Sequence, residues 1–458
     1  MPTFDAIVIG SGQGGNPLSQ DLADIGWNVA MIERSHLGGT CINTGCTPTK
    51  TMIASAQVAH YVRQSGKWGV HTDGMRVDMG EVVTRKNRNV HDWRAAQESK
   101  FHERAEHIRL YRGPARFTAP HGISVNGEEL ESARIFIDTG TRPIIPQIQG
   151  LEQTNYLTNA SIMELREIPN HLLVLGAGYV GLEFGQMFRR FGSEVTIIDI
   201  GDHILPHEDT DISDALIKIL EAEEIRFALS ARAKRVAQAG GQVNLNLESG
   251  GRESSVSGSH LLLAVGRRPN TDDLGIEKAG IEIDSHGFIQ VNDRLETNVP
   301  GIWALGDVKG GPAFTHISYN DYQIIFGNLV EKKNVSIANR IVPYAVFTDP
   351  ELGRIGMTET EARASKRRLK IGKIPMDWVA RAIERDETAG MMKIIVDAEK
   401  DQILGAAILS TDGGELVQLF MPIMMAGLPY TLLKGAVYIH PTLAEGFWTL
   451  MEEVKATE

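Results

Sequence analysis

The chain has 458 residues and a net charge of −12, from 46 basic and 58 acidic side chains. This acidic balance argues against partners that are nucleic acids or anionic membrane surfaces. No apolar run approaches the roughly 18 residues that a membrane span needs. The length exceeds what one hydrophobic core supports, so we expect several domains. After Met1 the sequence shows no signal-peptide pattern, and we expect a cytoplasmic protein, in which a disulfide tends to be catalytic.

The first predicted elements form a nucleotide-binding unit. An apolar strand that begins at Phe4 runs into a GxGxxG pattern made by Gly10, Gly12 and Gly15. A helix follows, and then a second strand over 28–33 that ends in Glu33. Such glycines let backbone amides approach a pyrophosphate at a helix N-terminus, and an acid about 20 residues on accepts a ribose hydroxyl. The pattern predicts a dinucleotide site.

The only two cysteines of the chain, Cys41 and Cys46, follow this unit directly. A disulfide that closes so short a loop adds little stability, so redox use is favoured over a structural role. Five residues of regular helix rise about 7.5 Å, whereas bridged Cα atoms lie within roughly 7 Å. The segment must therefore leave regular helix if the pair closes, and Gly45 permits the bend. The alternative is a pair of reduced, buried cysteines.

The same nucleotide pattern occurs a second time. A strand over 171–175 runs into a second GxGxxG pattern made by Gly176, Gly178 and Gly181. The next strand, 194–199, ends in Asp199. In both units the acid stands 23 residues after the first glycine of its pattern. The repetition predicts two dinucleotide sites.

The position of the cysteines indicates which nucleotide each site binds. A flavin can take a hydride and share electrons with a thiolate, so the first site should bind FAD and the second a nicotinamide nucleotide. The carboxylate of Asp199 accepts a 2′-hydroxyl and repels a 2′-phosphate. The segment 200–205 contains no arginine. We therefore expect NAD(H) to be favoured over NADP(H).

Further segments in order along the chain carry a family resemblance. They are GGTCINTGCTPTK at 38–50, IFIDTG at 135–140, AVGRRPN at 264–270, GIWALGD at 301–307, FTDP at 347–350 and HPTLAE at 440–445. Together with the two nucleotide units they resemble the class I pyridine nucleotide–disulfide oxidoreductases, the family of dihydrolipoamide dehydrogenase, glutathione reductase and mercuric reductase. FTHIS at 314–318 is also similar to mercuric-reductase-like and reactive-chlorine-responsive bacterial flavoproteins.

The resemblance implies an α/β chain with two Rossmann-like domains and a C-terminal α+β domain that makes a homodimer. The expected FAD domain comprises 1–148 and 267–338, the NAD(P) domain 149–266 and the dimerisation domain 339–458. Within the last, we predict strands at 392–397 and 403–409. Predicted helices lie near 80–107, 413–426 and 442–454.

The resemblance also implies roles for individual residues. Cys46 would lie nearer the flavin as the charge-transfer thiolate, and Cys41 would exchange with substrate. Lys50 and Glu183 would pair beside the flavin N5. The implied FAD-binding set is Gly10, Gly12, Gly15, Glu33, Arg34, Gly39, Thr40, Lys50, Thr139, Gly140, Asp307 and Thr315. The implied NAD(P)-binding set is Gly176, Gly178, Tyr179, Gly181, Asp199 and Gly266, with Tyr179 gating the nicotinamide pocket.

His440 would be the acid–base, reaching in from a second subunit and oriented by Glu445. A histidine can take and return a proton near neutral pH, and a carboxylate can fix its tautomer. The peptide between His440 and Pro441 resembles one that is cis in the family. No histidine group has ligand spacing with cysteines, so we assign no metal site.

These observations predict an NAD(P)H-dependent FAD disulfide oxidoreductase that acts on a small disulfide, dithiol or lipoyl-type substrate. Electrons would pass from nicotinamide to FAD, to the Cys41–Cys46 disulfide and then to substrate, or in the reverse direction. One alternative is a reductase of Hg(II) or Cu(II), which the lack of a cysteine pair near the C-terminus disfavours. Another is a non-catalytic redox-sensing flavoprotein, which the complete set of motifs disfavours.

Overall fold

The computed structural model describes residues 2–457, which form several sheets with helices packed on them. The strands are β1 (Ala6–Ile9), β2 (Val29–Glu33), β3 (Ile108–Arg112), β4 (Ala115–Ala119), β5 (Gly122–Val125), β6 (Glu128–Glu131), β7 (Ile135–Ile137), β8 (Thr141–Pro143), β9 (Tyr156–Leu157), β10 (His171–Leu175), β11 (Glu194–Ile198), β12 (Arg226–Ala228), β13 (Arg232–Ala239), β14 (Gln242–Ser249), β15 (Arg252–Gly258), β16 (His260–Leu263), β17 (Arg267–Pro269), β18 (Ile302–Ala304), β19 (Pro343–Val346), β20 (Glu351–Gly356), β21 (Leu369–Pro375), β22 (Met391–Asp397), β23 (Ile403–Ser410) and β24 (Lys455–Ala456).

The helices cover the faces of these sheets. They are α1 (Gly15–Asp24), α2 (Gly39–Asn43), α3 (Cys46–Gln64), α4 (Met79–His102), α5 (Tyr179–Phe191), α6 (Thr210–Ala222), α7 (Ile276–Ala279), α8 (Thr315–Leu329), α9 (Glu359–Ala364), α10 (Ala380–Arg385), α11 (Gly413–Val417), α12 (Met421–Met425), α13 (Thr431–Lys434) and α14 (Gly446–Glu452). Short 3₁₀ turns lie at Ser65–Trp68, Leu151–Gln153, Ser161–Glu164, Gly306–Lys309, Met376–Trp378 and Gln418–Phe420.

The first nucleotide unit is built on a parallel sheet with the strand order β18-β7-β1-β2-β3. Every residue of β1 and β2 is buried, as expected when helices cover both faces of a parallel sheet. The edge strand β18 comes from much later in the chain and pairs with β7. The chain therefore returns to complete this sheet.

The second nucleotide unit is a parallel sheet with the order β12-β11-β10-β16-β9, beside an antiparallel sheet of β13, β14 and β15. The short strands β8 and β17 pair antiparallel where the chain leaves the first unit and where it returns. This ribbon lies near the domain boundaries that the sequence predicts, which stay predictions.

The remaining sheet has the order β19-β20-β23-β22-β21-β24 and is antiparallel. The predicted strands at 392–397 and 403–409 are confirmed as β22 and β23. On one face of these strands the buried side chains pack with α11 and α14 in a core of their own. On the other face Met391, Ala407 and Leu409 join the core that contains β10 and α5.

Three predicted helices have bounds that differ from the prediction. Helix α4 ends at His102 because the chain must already join the first sheet at His107, whose carbonyl accepts the amide of Val29. The stretch 413–426 is divided into α11 and α12 because Pro422 lacks an amide hydrogen and fits only a first helical turn. Helix α14 begins only at Gly446, after the proline-containing turn at 440–445.

Within residues 2–457, no helix is both long and apolar enough to cross a bilayer. The same residues contain no group of three or more His, Cys, Asp or Glu side chains arranged to hold a metal ion.

Candidate active site

The cysteine segment interrupts its helix at the position that the sequence predicts. Helix α2 ends at Asn43, and α3 begins at Cys46. Gly45 between them has a φ of −129°, so it is not needed for a left-handed conformation. A Cβ atom on Gly45 would instead lie 2.8 Å from the carbonyl oxygen of Thr40. Glycine is therefore required for close approach of two backbone segments.

The two thiols differ in their protonation. Both thiols are free, Cys41 is half-buried and Cys46 is exposed to a cavity. The alternative of two fully buried cysteines is therefore excluded. A hydrogen bond from Cys41 lowers the pKa of the Cys46 thiol to about 6, against the effect of burial and with help from Thr315 and Lys50. The same hydrogen bond, together with burial, raises the pKa of Cys41. At neutral pH Cys46 carries the thiolate and Cys41 stays a thiol.

Lys50 and Glu183 form an ion pair beside the thiols. The Nζ atom of Lys50, on α3, lies 2.8 Å from a carboxylate oxygen of Glu183, on α5. Only 4% of the Glu183 side chain is exposed, and its other oxygen accepts the amide of Phe347 at 3.0 Å. The Lys50 ammonium also lies 4.5 Å from the centre of the Phe347 ring. The pair thus joins both nucleotide units and the segment after β19.

A cavity of about 830 Å³ connects the first glycine pattern to the thiols. Most of the predicted FAD-binding and thiol-site residues line it: Gly10, Gly12, Glu33, Arg34, Gly39, Thr40, Cys41, Cys46, Lys50, Thr139, Gly140, Glu183, Asp307 and Thr315. Tyr179, from the predicted NAD(P)-binding set, lines it too. The predicted residues outside its lining are Gly15, Gly176, Gly178, Gly181, Asp199, Gly266, His440 and Glu445. The structure therefore gathers the predicted flavin and thiol residues into one site.

The first glycine pattern is set by close backbone contacts. Gly10 has a φ of +102°, and a Cβ atom there would lie 2.2 Å from the carbonyl oxygen of Asp138. The carboxylate of Glu33 accepts hydrogen bonds from the amide and the hydroxyl of Ser11, at 3.0 and 2.7 Å. The acid at the end of β2 thus holds the glycine loop and still lines the cavity.

The second glycine pattern repeats this arrangement. Gly176 has a φ of +112°, and a Cβ atom there would lie 2.3 Å from the carbonyl oxygen of Ala264. The carboxylate of Asp199 accepts the amides of Ala177 and Gly201, at 2.6 and 2.7 Å. Both predicted acids therefore lie against the glycine loop of their own unit, as a ribose-binding acid must.

The residues around the cavity fit FAD. A glycine loop at the start of α1 offers backbone amides to a pyrophosphate, and the same cavity is lined by both cysteines and by Lys50. Asp307 also lines the cavity, and the hydroxyl of Thr141 donates to its carboxylate at 2.9 Å. The guanidinium of Arg267 donates to the hydroxyl and the carbonyl of Thr141, at 2.8 and 2.7 Å.

Sequence reasoning missed three residues of this site. Thr141 and Arg267 hold Asp307 through their hydrogen bonds, and Arg267 lies within the segment 264–270 that carries the family resemblance. The carboxyl of Asp138, within 135–140, accepts the amide of Gly15 at 2.7 Å. Burial raises the pKa of Asp138 well above its usual range. The places of Asp138 and Arg267 in these motifs were the available signal, whereas Thr141 directly follows the segment 135–140.

His440 and Glu445 lie apart from the cavity. The Nδ1 atom of His440 is 2.9 Å from a carboxylate oxygen of Glu445, and the peptide before Pro441 is cis as the resemblance implies. The imidazole is 67% exposed. Nearby Val437 and Ile439 are 94% and 78% exposed, and exposed apolar side chains of this kind mark an interaction surface. Within one chain, this pair does not meet the thiols.

Comparison with known protein families agrees with this architecture. Residues 4–321 match the family described as pyridine nucleotide-disulphide oxidoreductase. Residues 342–451 match the dimerisation domain of the same family. The match confirms the predicted family and fold class, and the dimerisation domain supports a homodimer.

Individual relatives match along nearly the whole chain. The protein described as a probable pyridine nucleotide-disulfide oxidoreductase, RclA of Escherichia coli, is 37% identical over 99% of this chain and 100% of the relative. The mercuric reductase of Lysinibacillus sphaericus is 34% identical over 97% of this chain and 81% of the relative. The dihydrolipoyl dehydrogenase of Thermus scotoductus is 34% identical over 100% of this chain and 98% of the relative.

A solved structure shows the same fold. It is the Cu(II) complex of the HOCl-induced flavoprotein disulfide reductase RclA from Escherichia coli, which is 36% identical, with a TM-score of 0.91 over 99% of this chain and 100% of that one. The glycine loops, the thiol pair and these relatives lead to one conclusion. The chain belongs to the pyridine nucleotide-disulphide oxidoreductases, enzymes that use FAD and act on disulfides.

Proposed function

We propose that the chain is an NAD(P)H-dependent disulfide oxidoreductase that exchanges electrons with a small disulfide or dithiol substrate through Cys41 and Cys46. The observation that carries this proposal is the position of two free thiols in the lining of the cavity that also holds the first glycine pattern. A thiolate at Cys46 faces the cavity, and a protonated Cys41 is held beside it. This asymmetry suits an internal thiolate and an exchanging thiol.

FAD, when bound, would supply the two-electron chemistry that connects a reduced nicotinamide to the Cys41–Cys46 disulfide. Lys50 holds a positive charge at this end of the cavity, and its attraction favours the thiolate that results at Cys46. Glu183, by binding both Lys50 and the amide of Phe347, fixes the position of that charge. These residues orient the site and hold charge within it.

In the substrate half-reaction a base removes the proton of Cys41, whose thiolate attacks one sulfur of the substrate disulfide. A mixed disulfide forms, and the leaving thiolate takes the proton that the base holds. The Cys46 thiolate then attacks the sulfur of Cys41, which closes the intramolecular disulfide. The second substrate thiolate leaves and takes its proton from solvent, because the Cys46 thiolate brings none. One disulfide is thus reduced to two thiols as the enzyme dithiol is oxidised.

We assign the base to His440 of a second subunit. Its Nδ1 atom faces Glu445, which leaves Nε2 to exchange a proton with sulfur. Because His440 lies on an exposed apolar surface outside the cavity of its own chain, it is available to another subunit. The dimerisation domain supports this arrangement.

NAD(H) is the proposed nucleotide in preference to NADP(H). The amides of Ala177 and Gly201 hold the carboxylate of Asp199 in place at the end of β11. A fixed negative charge there accepts a 2′-hydroxyl and repels a 2′-phosphate.

Reduction of a soft metal ion is the second candidate. It is favoured by the thiolate at Cys46, since soft metals prefer thiolate ligands, and by relatives named mercuric reductase. The disulfide reaction remains the better candidate because His440 and Glu445 form a proton-transfer pair that metal reduction does not require.

A substrate panel under anaerobic conditions tests both candidates. The FAD-loaded enzyme, reduced with NADH or NADPH, is offered lipoamide, glutathione disulfide, coenzyme A disulfide, Hg(II), Cu(II) or a quinone, and flavin reoxidation is followed. We expect a disulfide to reoxidise the enzyme, and Cys41→Ser to abolish that reaction while the flavin still bleaches with NADH. Equal rates for Cys41→Ser and the native enzyme on every disulfide would overturn the proposal.

A further inference from the structure

Three aromatic rings form a parallel stack at the edge of the cavity. The rings of His316, Phe314 and Tyr344, here called the ring stack, lie with centroids 5.4 and 5.2 Å apart and interplanar angles of 9° and 10°. The imidazole Nε2 of His316 donates to the carbonyl of Pro343 at 2.7 Å, so the start of α8 is fastened to β19. All three rings line the cavity.

The ring stack touches both halves of the active site. The ring of Phe314 lies 6.2 Å from that of Tyr179, the first residue of α5 after the second glycine pattern. Thr315, between Phe314 and His316, contacts the sulfur of Cys46. A shift of Phe314 would therefore reach the nicotinamide side and the thiol side together.

Tyr344 fastens the stack to a buried ion pair. Its hydroxyl donates to Glu208, which precedes α6 in the second nucleotide unit. Glu208 is paired in turn with Arg354 on β20, and each of these charged side chains is only 1% exposed. Burying two charges is costly unless both are well paired, so Glu208 has little freedom to move.

Asp209, the residue after Glu208, adds further contacts to the C-terminal sheet. Asp209 lies 3.2 Å from the ammonium of Lys393, and it accepts the amides of Glu359 and Thr360 at the start of α9, at 2.9 and 3.1 Å. The start of α6 is thus fixed to the C-terminal sheet through two adjacent acids. Among the residues of these contacts, Tyr344 also lines the cavity.

We propose that Tyr344 is a positioning residue for hydride transfer, which holds the ring stack in fixed register with the nicotinamide unit so that Tyr179 closes against an immobile Phe314. The inference rests on the proposed function in taking a reduced nicotinamide nucleotide as the electron donor. It assigns a role to the link between Tyr344 and Glu208, and none to the ion pair of Lys50 and Glu183.

The position of Tyr344 predicts a particular kinetic signature. The proposed nucleotide-binding residues Gly176, Gly178, Gly181 and Asp199 lie outside the lining of the cavity that the ring stack borders, so affinity for the nucleotide should not depend on Tyr344. The stack segment contacts Tyr179 and Cys46, on the nicotinamide and thiol sides of the site, and a misplacement of about 1 Å between reacting groups is enough to slow a reaction. Loss of the link should therefore lower the limiting rate and spare the dissociation constant.

The test is the variant Tyr344→Phe, which keeps the ring and removes the hydroxyl. In stopped-flow reduction of the FAD-loaded enzyme by NADH, we expect the limiting rate of flavin bleaching to fall roughly tenfold. The dissociation constant for NAD⁺, measured by titration, should change less than about twofold. Amide hydrogen exchange over 343–346 and 208–212 should increase, because those segments lose a shared contact.

Tyr111→Phe is the matched control. The hydroxyl of Tyr111 also faces a glutamate, Glu128, at 3.2 Å, but on the first sheet and outside the cavity lining. This variant loses the same type of hydrogen bond and should bleach with NADH at the native rate. A limiting rate for Tyr344→Phe equal to that of Tyr111→Phe would overturn the proposal, and so would an equal loss of rate and affinity.

If Tyr344→Phe fails to fold, Phe314→Leu replaces it, because that variant keeps the hydroxyl link and removes the central ring. It should show the same loss of rate with native NAD⁺ affinity, and a native rate would contradict the inference.

If the native enzyme is not bleached by either nucleotide, the proposed function is refuted independently of this inference. Hydrogen exchange over 208–212 then tests the link between Tyr344 and Glu208 alone. Unchanged exchange in Tyr344→Phe would contradict that link.

Discussion

The Sγ atom of Cys46 lies 3.2 Å from the Oγ1 atom of Thr315, although the two residues are 269 positions apart in the chain. Cys46 opens α3 and Thr315 opens α8, so two helix N-termini meet at this sulfur. The positive end of each helix dipole favours negative charge there. This contact adds to the hydrogen bond from Cys41, which is the main cause of the lowered pKa of Cys46.

Lowering the pH should protonate the Cys46 thiolate. Because the pKa of Cys46 is lowered to about 6, the thiolate is present at neutral pH and is protonated as the pH falls through about 6. In the two-electron-reduced enzyme, the long-wavelength thiolate–flavin absorbance should be present above this pH and vanish below it. Cys41→Ser should keep the band and Cys46→Ser should abolish it, and the reverse pattern would exchange the roles of the thiols.

Thr315→Val should raise the pKa of Cys46. The substitution removes a hydrogen bond that stabilises the thiolate and keeps the size of the side chain. The midpoint of the absorbance titration should move upward by roughly one pH unit, the equivalent of ~1.4 kcal/mol. Thr315→Ser, which retains the hydroxyl, should titrate like the native enzyme. Identical midpoints for the valine and serine variants would show that the hydroxyl does not act on Cys46.

Lys50→Met should destabilise the protein and slow reduction of the flavin by NADH. It leaves the carboxylate of Glu183, which is 4% exposed, without its cation. Breaking a buried ion pair costs 3–5 kcal/mol, and the exposure of Lys50 reduces the expected loss of unfolding free energy to ~1–3 kcal/mol. Chemical denaturation measures this loss. The double variant Lys50→Met, Glu183→Gln should recover part of it, and strict additivity would exclude an interaction.

His440→Ala should separate the two half-reactions. Because the imidazole lies outside the cavity of its own chain, bleaching of the flavin by NADH should remain at the native rate. Turnover with a disulfide should fall by about 10²- to 10⁴-fold, the usual contribution of a general acid–base. Steady-state assays with the best disulfide of the panel measure it. Native turnover in this variant would place proton transfer elsewhere.

Changing Asp199 together with Ile200 should shift the nucleotide preference. Ile200 is 68% exposed, so an arginine there need not bury its charge. Asp199→Ala alone should weaken both nucleotides, because the amides of Ala177 and Gly201 lose their acceptor. Adding Ile200→Arg should raise kcat/KM for NADPH relative to NADH. An unchanged ratio would refute the role of the carboxylate in discrimination.

Features that depend on neighbouring residues in the chain were predictable from the sequence. Contacts between distant parts of the chain were not. Gly10 and Gly176 were recognisable because each directly follows an apolar strand, and their positive φ angles agree with that reading. The ring stack was not recognisable, because Phe314 and Tyr344 come from segments whose proximity depends on how β19 packs against α8.

The same limit applies to single side chains. The pair of Glu208 and Arg354 joins residues 146 positions apart, and no local pattern indicates that either is buried. Pro422 carried a local signal, a missing amide hydrogen, that the helical pattern of 413–426 outweighed.

The exclusion of His440 from its own cavity has a consequence for how the enzyme behaves on dilution. If this imidazole serves the thiols of a neighbouring subunit, a lone chain is reducible by NADH yet inert toward disulfides, and specific activity declines once subunits separate. Mixing two inactive variants, Cys41→Ser and His440→Ala, should then restore turnover, because each hybrid pair contains one site with every group intact.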